Sequence, residues 1–267
     1  MADSQPGWFA RNTPKLSAWG LGLAAGGTLV ALVSGPLYQL GVVPLFPSFG
    51  VLAMGVLGAL IGGLVCLVSL AVSIGRHKGE AFTRNATALV GVVVGLIVFA
   101  IPASMLTGGY PSIHEVSTDL DNPPVFVDIL PLRQGAPNPP EYVAVLKSPQ
   151  SGQDLNVPEL QKQAFPDLVP VKLDVPPAQA FDQALAAVNA MKWTLVAAKP
   201  DDGRIEAYDK TAWFGFIDDV VIRVTSDGTG SRIDVRSKSR LGFGDVGKNG
   251  KRVRAYIAKL TGKKGHG

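Results

Sequence analysis

The sequence predicts an α+β protein in which three transmembrane helices and a Pro-rich extended arm precede an antiparallel-sheet domain. The first observation is charge, since no Asp, Glu, Lys or Arg occurs between Lys15 and Arg76 or between Arg84 and Glu115. The second is the concentration of ten prolines within residues 123–170. The third is the apolar periodicity of the remaining chain, which predicts the element order β-α-β-β-β-β-α.

These observations divide the chain into four segments: a cytoplasmic tail (1–15), a transmembrane region (16–106), the arm (107–168) and the α+β domain (169–267). A soluble surface carries charge along its whole length, so the long uncharged stretches exclude a wholly soluble enzyme. Residues 107–267 contain 20 Lys or Arg and 19 Asp or Glu, an ordinary balance for a water-soluble domain.

The uncharged residues 16–75 are about twice as long as one transmembrane helix of roughly 20 residues requires. Pro36, Pro44 and Pro47 interrupt them midway, where missing backbone donors favour a turn. We therefore place spans near residues 17–37 and 49–74, and a third span over residues 86–106. A cleaved signal peptide is the alternative for the first span, although two further spans follow it.

Basic residues predict the orientation of these spans. Arg11 and Lys15 precede the first span, and Arg76, Lys78 and Arg84 lie between the second and the third. Basic flanks stay in the cytoplasm. We therefore expect a multi-pass protein of the cytoplasmic (inner) membrane whose C-terminal domain lies in the periplasm or on the exoplasmic side.

Each predicted span contains a Gly-x-x-x-Gly motif, a spacing that lets helix backbones approach closely. The pairs are Gly22 with Gly26, Gly58 with Gly62, and Gly91 with Gly95. They predict a tight bundle or a homo-oligomer, and the alternative is the general abundance of glycine in membrane helices.

The folded domain begins with a half-buried strand at 169–175, followed by a helix that Pro176 and Pro177 open. Four strands, at 192–198, 204–213, 217–226 and 231–239, precede a closing helix at 246–260. We expect the apolar stripe of that helix to pack on the sheet; contact with a membrane surface is the alternative.

The last hairpin allows its register to be predicted. Pairing Ser226 with Ser231 aligns Arg223 with Asp234 and Asp219 with Lys238 on one face, while apolar residues align on the other. A slip of one residue would mix the two faces, so the pattern specifies this register.

Three segments carry a resemblance: HEVSTDLDNPP from His114, TAWFGFIDDVVIRV from Thr211, and SRIDVRSKSRLGFGDVGKNGKRVRAYI from Ser231. Over most of residues 110–260 they resemble the bacterial membrane-protein family named domain of unknown function 1499. The sequence departs from the family pattern at Phe243-Gly244-Asp245, where a serine before the aspartate is expected, and at Gly250, where alanine is usual. The resemblance implies a translocated α+β domain behind a few membrane helices, with no established activity.

A catalytic hypothesis centres on His114, the only histidine of the folded domain apart from His266 near the C-terminus. Glu115, Ser117, Thr118 and Asp119 are close in sequence, so an acid/base or nucleophilic site built from His114 and Asp119 is one interpretation. A membrane-proximal turn capped by these side chains is the other.

A binding hypothesis centres on the segment from Arg223 to Lys264, where 12 basic and 3 acidic residues give a local charge of +9. Strand alternation puts a row of guanidinium groups on one strand face, where they can bind a phosphate or a carboxylate. The predicted ligand-binding residues are Trp213, Phe216, Asp218, Asp219, Arg223, Asp234, Arg236 and Arg240. The alternatives are an ion-pair ladder between these charges and the acidic arm, and an aromatic strand corner at Trp213 and Phe216.

From these patterns we expect a membrane-anchored envelope protein that binds an anionic lipid or an envelope protein partner, with no cofactor. An envelope hydrolase or transferase using His114 is the alternative, and a structural subunit of a larger membrane complex is a third hypothesis. No metal motif is present in the sequence. Nucleic acid is excluded as a partner because the domain is predicted to face away from the cytoplasm.

Overall fold

The computed structural model describes residues 8–76, 89–98, 100, 109–148 and 151–262. The chain divides into two compact units, Met1–Thr107 and Gly108–Gly267. The first is apolar and helical, and the second is an α+β fold.

The apolar unit contains helices α1 (Trp8–Gln39) and α2 (Leu45–Arg76), followed by the short apolar helix α3 (Leu89–Val98). Two stretches, Lys15–Gln39 and Leu45–Val72, are long and apolar enough to cross a membrane. The expected three long helices are therefore not found. The described part of α3 is too short to span, and the rest of predicted span 86–106, apart from residue 100, lies outside the described residues.

The predicted turn between the first two spans lies at residues 40–44, where Gly41 adopts a φ of +69° that favours glycine. Pro47 lies in the first turn of α2, where a missing backbone donor costs no helical hydrogen bond. The helices are longer than the predicted spans, and α1 extends from Trp8 through much of the predicted tail.

Small residues bring α1 and α2 into backbone contact. A Cβ atom added at Gly27 would lie 2.4 Å from the Ala59 nitrogen, and one added at Gly62 would lie 2.3 Å from the Ala24 nitrogen. Gly91 of α3 is similarly close to Cys66 of α2. By contrast, nothing within the described residues lies within 4 Å of a Cβ built at Gly22 or Gly26. The glycines thus serve packing within the unit, except on that face of α1.

The α+β unit contains eight strands and three α-helices among its described residues. In chain order these are β1 (Glu115–Ser117), a 3-10 helix (Leu130–Arg133), β2 (Val145–Lys147), β3 (Asp154–Asn156), α4 (Val157–Ala164), β4 (Val171–Leu173), α5 (Pro177–Ala190), β5 (Thr194–Lys199), β6 (Arg204–Lys210), β7 (Ile217–Asp227), β8 (Gly230–Ser239) and α6 (Lys248–Thr261). The main sheet is antiparallel with the order β1-β8-β7-β6-β5, and β4 also pairs with β8, while β2 and β3 form a separate pair.

The predicted order β-α-β-β-β-β-α is confirmed from β4 to α6. The hairpin register is confirmed as well: Ser226 lies opposite Ser231, Arg223 opposite Asp234, and Asp219 opposite Lys238. Because apolar residues lie on one face of the hairpin and charged residues on the other, the sequence pattern was sufficient to specify this pairing.

The prediction that the Pro-rich residues 123–170 are extended rather than helical or β-stranded is wrong. Asn156 caps α4 by accepting a hydrogen bond from the Glu159 amide, and Pro158 occupies the first turn, where proline is favourable. Gln161 of α4 then bonds both the amide and the carbonyl of Ser117 (2.9 and 2.6 Å), which holds β1 at the sheet edge. A glutamine side chain here satisfies backbone groups that a neighbouring strand would otherwise pair.

The two faces of the sheet are covered differently. Helices α5 and α6 cover one face with an apolar core that includes Phe181, Ile222, Val235 and Tyr256. The apolar stripe of α6 therefore packs on the sheet, as expected. The opposite face is covered by residues 119–142, here called the covering segment, whose apolar contacts with the sheet centre on Phe126 and Ile129.

Candidate functional site: a buried ionic layer

The face beneath the covering segment carries charged side chains from adjacent strands. Alternation along β8 brings Arg232, Asp234, Arg236, Lys238 and the following Arg240 to one side, as predicted. We call the ionic layer the following set: Glu115, Asp119, Arg133, Asp219, Arg223, Arg232, Asp234, Arg236, Lys238 and Arg240.

At one end of the ionic layer, Asp119 and Asp234 bind two arginines. Arg223 donates to Asp234 (2.8 Å) and Asp119 (3.0 Å), and Arg232 donates to Asp119 (2.7 Å) and Asp234 (3.0 Å). Asp119 also caps the turn that starts the covering segment, because its second oxygen accepts from the amides of residues 121 and 122. This end is the more exposed, with Arg232 retaining 36% of its side-chain exposure.

The centre of the ionic layer is Glu115. One carboxylate oxygen accepts from Arg236 (2.8 Å) and the other from Lys238 (2.9 Å). None of the three side chains is more than 1% exposed. Burial lowers the pKa of Lys238, and the adjacent Glu115 carboxylate opposes that shift by favouring the charged amine.

At the other end, Asp219 is buried and accepts from both Arg240 (2.7 Å) and Arg133. Asp218, predicted to share this site, does not face the same way. It pairs with Arg252 of α6 (2.6 Å) on the helical side of the sheet. The expectation that Asp218 and Asp219 act together is therefore corrected, because successive strand residues point to opposite faces.

Basic groups of the ionic layer also hold the covering segment through its carbonyl oxygens. Arg236 donates to the carbonyls of Pro124 (3.2 Å) and Pro140 (2.9 Å), and Lys238 donates to that of Glu141 (2.7 Å). Proline has no amide hydrogen to contribute to a β-ladder. Side-chain donors from the sheet therefore replace strand pairing as the means of holding this segment.

Glu206 of β6 makes the complementary contact. Its carboxylate is fully buried and accepts from the amides of Val127 (2.8 Å), Asp128 (3.2 Å) and Ile129 (2.8 Å). Arg204 pairs with the same carboxylate at 2.5 Å. Three amide donors and a cation offset the cost of burying this charge.

The aromatic residues Trp213 and Phe216 lie in the turn between β6 and β7. Their rings form a chain through Phe214, with centroids 5.1 Å apart for Trp213 and Phe214 and 5.4 Å for Phe214 and Phe216. Gly215 has a φ of +67°, which allows the tight return of the chain. The arrangement matches the aromatic strand corner considered from sequence.

The catalytic pair proposed from sequence is not brought together. His114 is buried, and neither of its ring nitrogens has a hydrogen-bond partner among the described residues. Burial and the charge of Lys238 lower the pKa of His114, so it is held neutral. Asp119 is engaged by Arg223 and Arg232. The hydrogen-bonded His–Asp geometry that an acid/base site requires is absent from the described part of the chain.

The sequence pointed to Glu115 only as a neighbour of His114 in the catalytic hypothesis, and it did not single out Arg133 or Glu206 as functional residues. The available signal for Glu206 was a carboxylate between Ile205 and Ala207, in a strand that also carries Arg204, Asp209 and Lys210. Glu115 and Arg133 lie in the part predicted to be irregular, so no register was available to align them with β8. Within the described ranges, no three His, Cys, Asp or Glu side chains are grouped to hold a metal.

The charged side chains of the ionic layer bind one another and the covering segment, so the layer is not an open binding site. Its carboxylates accept hydrogen bonds from Arg and Lys, and its cations also bind carbonyls of the covering segment. Arg236 and Asp219 are both buried within these pairs. Removing one partner of such a pair leaves a buried charge uncompensated.

Comparison with known families gives a match over residues 115–260 to the family described as a protein of unknown function, DUF1499. No curated protein matches the chain. The matched region begins at β1, ends in α6 and includes every residue of the ionic layer. The chain therefore belongs to the DUF1499 family.

Proposed function

We propose that this chain is a membrane-anchored envelope protein that binds an anionic lipid or an envelope protein partner, rather than an enzyme. The observation that carries the anchoring is the outward orientation of apolar side chains on α1 and α2. Only 22% and 28% of their most apolar windows are buried, and Trp19, Leu32 and Met54 are among the exposed residues. Core helices of a soluble protein bury such side chains, whereas hydrocarbon solvates them.

The proposed topology has three spans in the inner membrane, the third of them over 86–106, with residues 107–267 in the periplasm or on the exoplasmic side. The distribution of Arg11, Lys15, Arg76, Lys78 and Arg84 supports this orientation. The open face of α1 at Gly22 and Gly26 is the proposed place for a homo-oligomer contact.

Binding is favoured over catalysis because the charged side chains that suggested a reactive site are engaged internally. Glu115, Asp219 and Asp234 each accept from two basic side chains. His114 lacks the hydrogen-bonded carboxylate that would orient and activate it. The ionic layer then stabilises the folded unit, and partner recognition belongs to the outer surface of that unit.

The test is copurification of the full-length chain from membranes in a mild detergent, followed by mass spectrometry of bound lipids and proteins. We expect anionic phospholipid or a stoichiometric envelope protein to be enriched relative to the starting membrane. A matched single-helix membrane protein of similar charge, purified in parallel, controls for general adsorption. A lipid composition equal to the bulk membrane with no retained protein would contradict the proposal.

A further inference from the structure

The segment between β8 and α6 has an exposed apolar tip. Phe243 is 68% exposed and Val246 is 49% exposed. Other large apolar side chains of the folded unit, such as Val125 and Leu132, are also exposed, but Phe243 is the most exposed of them among the described residues, and Val246 lies three residues away in the same loop.

The backbone holds Val246 in this position. Its φ is +50°, a region that β-branched residues rarely adopt. The following Gly247 has a φ of +77°, and a Cβ there would lie 2.5 Å from the ring of Tyr110. A strained conformation of this kind persists only where its surroundings enforce it, and such conformations cluster at functional surfaces.

Basic side chains adjoin the tip. Lys248 and Lys251 are exposed on the first turns of α6, and Lys259 continues the same stripe. None of the three takes part in an ion pair within the described ranges, although the Lys251 amine lies 4.6 Å from the centroid of the Tyr110 ring. We call Phe243, Val246, Lys248 and Lys251 the basic tip.

The one carboxylate of this segment does not pair with these lysines. Asp245 is the only acidic residue after Asp234 in the sequence. Its oxygens turn inward and accept from the amides of Gly247 (2.9 Å) and Asn249 (2.6 Å). The outer surface of the basic tip is therefore apolar and positive, which is the combination that binds an anionic lipid surface.

The basic tip is braced by the first described residues of the folded unit. Tyr110 packs against Gly247, and the Asp245 amide donates to the Ile113 carbonyl (3.1 Å). Tyr110 follows Thr107, the last residue of the apolar unit, by only three residues. The tip is thus attached to the part of the fold that is joined directly to the proposed membrane anchor.

We infer that the basic tip is a bilayer-docking surface, at which Phe243 and Val246 insert among anionic phospholipids of the membrane that anchors the chain while Lys248 and Lys251 bind their head groups. This inference rests on the proposed anchoring. It identifies anionic phospholipid as the ligand and places the binding surface at the basic tip rather than in the ionic layer.

The experiment uses the full-length chain with Cys66→Ala, reconstituted into vesicles of phosphatidylcholine alone or mixed with phosphatidylglycerol. Phe243→Cys carries an environment-sensitive fluorophore, and Val169→Cys, another exposed apolar position, is the matched control. We expect blue-shifted emission and quenching by spin-labelled lipid at position 243 but not at 169, stronger with phosphatidylglycerol. Lys248→Glu with Lys251→Glu should abolish the phosphatidylglycerol dependence, whereas Lys199→Glu with Lys210→Glu should preserve it.

The outcomes separate the two proposals. Raising the salt concentration on the unmodified background should reduce the quenching at 243, which tests the charge contribution without any charge-reversing substitution. Chains that float with the vesicles but show a water-exposed fluorophore at 243 would overturn the docking inference alone. Chains that fail to float would overturn the anchoring and the docking together.

Discussion

Glu115 is the residue on which the buried charges depend most, because Arg236 and Lys238 share its carboxylate and neither has another carboxylate within bonding distance among the described residues. Glu115→Gln would leave two buried cations facing a neutral amide. We expect it to destabilise the folded unit by about 3–5 kcal/mol. Asp167→Asn, which breaks the exposed Arg254 pair, should cost at most about 1 kcal/mol. Urea unfolding of the full-length protein in micelles, followed by tryptophan fluorescence, measures both. Equal losses of stability in the two variants would contradict the burial of the ion pairs of Glu115.

Two tyrosines whose hydroxyl groups are buried provide a matched comparison. The Tyr142 hydroxyl has no hydrogen-bond partner in the described ranges, whereas the Tyr256 hydroxyl donates to the Ala184 carbonyl (3.1 Å). Tyr142→Phe should therefore leave stability unchanged or raise it, because it removes an unpaired buried polar group. Tyr256→Phe should lower the free energy of unfolding by about 1 kcal/mol. The same unfolding assay decides the point, and the reverse order of the two costs would refute these contacts.

His114 predicts a dependence of stability on pH. Its folded pKa is lowered, chiefly by burial, so the folded state binds fewer protons than the unfolded state near pH 6. The stability linked to neutral His114 is present above the unfolded pKa of about 6.5. It is lost as pH falls toward the folded pKa, by at most about 1.4 kcal/mol per pH unit. Unfolding curves between pH 7.5 and 5 should show this slope, and His114→Gln should flatten it. An unaltered slope in the variant would assign the effect to other groups.

At the scale of elements, the covering segment is held by side chains from the sheet rather than by strand pairing. Glu206→Gln removes the charge that binds three successive amides of this segment. We expect faster hydrogen exchange within residues 123–141, with α5 and α6 still protected, because local opening needs only the loss of these contacts. Asp202→Asn, which removes the exposed partner of Arg204, is the control and should exchange as the parent does. Uniformly faster exchange across the unit would instead indicate global destabilisation.

The same contrast between elements explains what the sequence could predict. The β7–β8 register was predictable because apolar and charged residues alternate on both strands, so a slip would be visible in the pattern. The covering segment was not, because its carbonyl oxygens at Pro124, Pro140 and Glu141 are bound by the side chains of Arg236 and Lys238, and such contacts leave no periodicity. Asn156 and Gln161 fix α4 and β1 through single polar side chains, a signal too short to separate from a loop.

One family departure has a structural reason. Gly250 replaces the alanine that the resemblance predicts, and a Cβ at this position would lie 2.3 Å from the ring of Phe165. That ring stacks on Tyr110 with centroids 5.4 Å apart. The glycine therefore makes room for an aromatic contact between α6 and the residues that follow α4.

The protein as a whole combines an apolar helical unit with a folded unit whose charges are largely paired internally. The uncharged stretches specified the first from sequence alone, although only two helices of spanning length are described. The ionic layer explains why the strongly basic segment 223–264 coexists with an acidic preceding segment: much of the charge is mutually neutralised across the sheet face. The lysine-bearing side of α6 also faces outward.

The most direct test of the anchoring and orientation is cysteine accessibility in whole cells. In the Cys66→Ala background, a single cysteine replaces either Lys199 of the folded unit or Ser4 of the tail, and a membrane-impermeant maleimide is added before or after lysis. The account predicts labelling at 199 in cells with intact inner membranes, and labelling at position 4 only after lysis. The opposite pattern, or recovery of the full-length chain in a detergent-free soluble fraction, would contradict it.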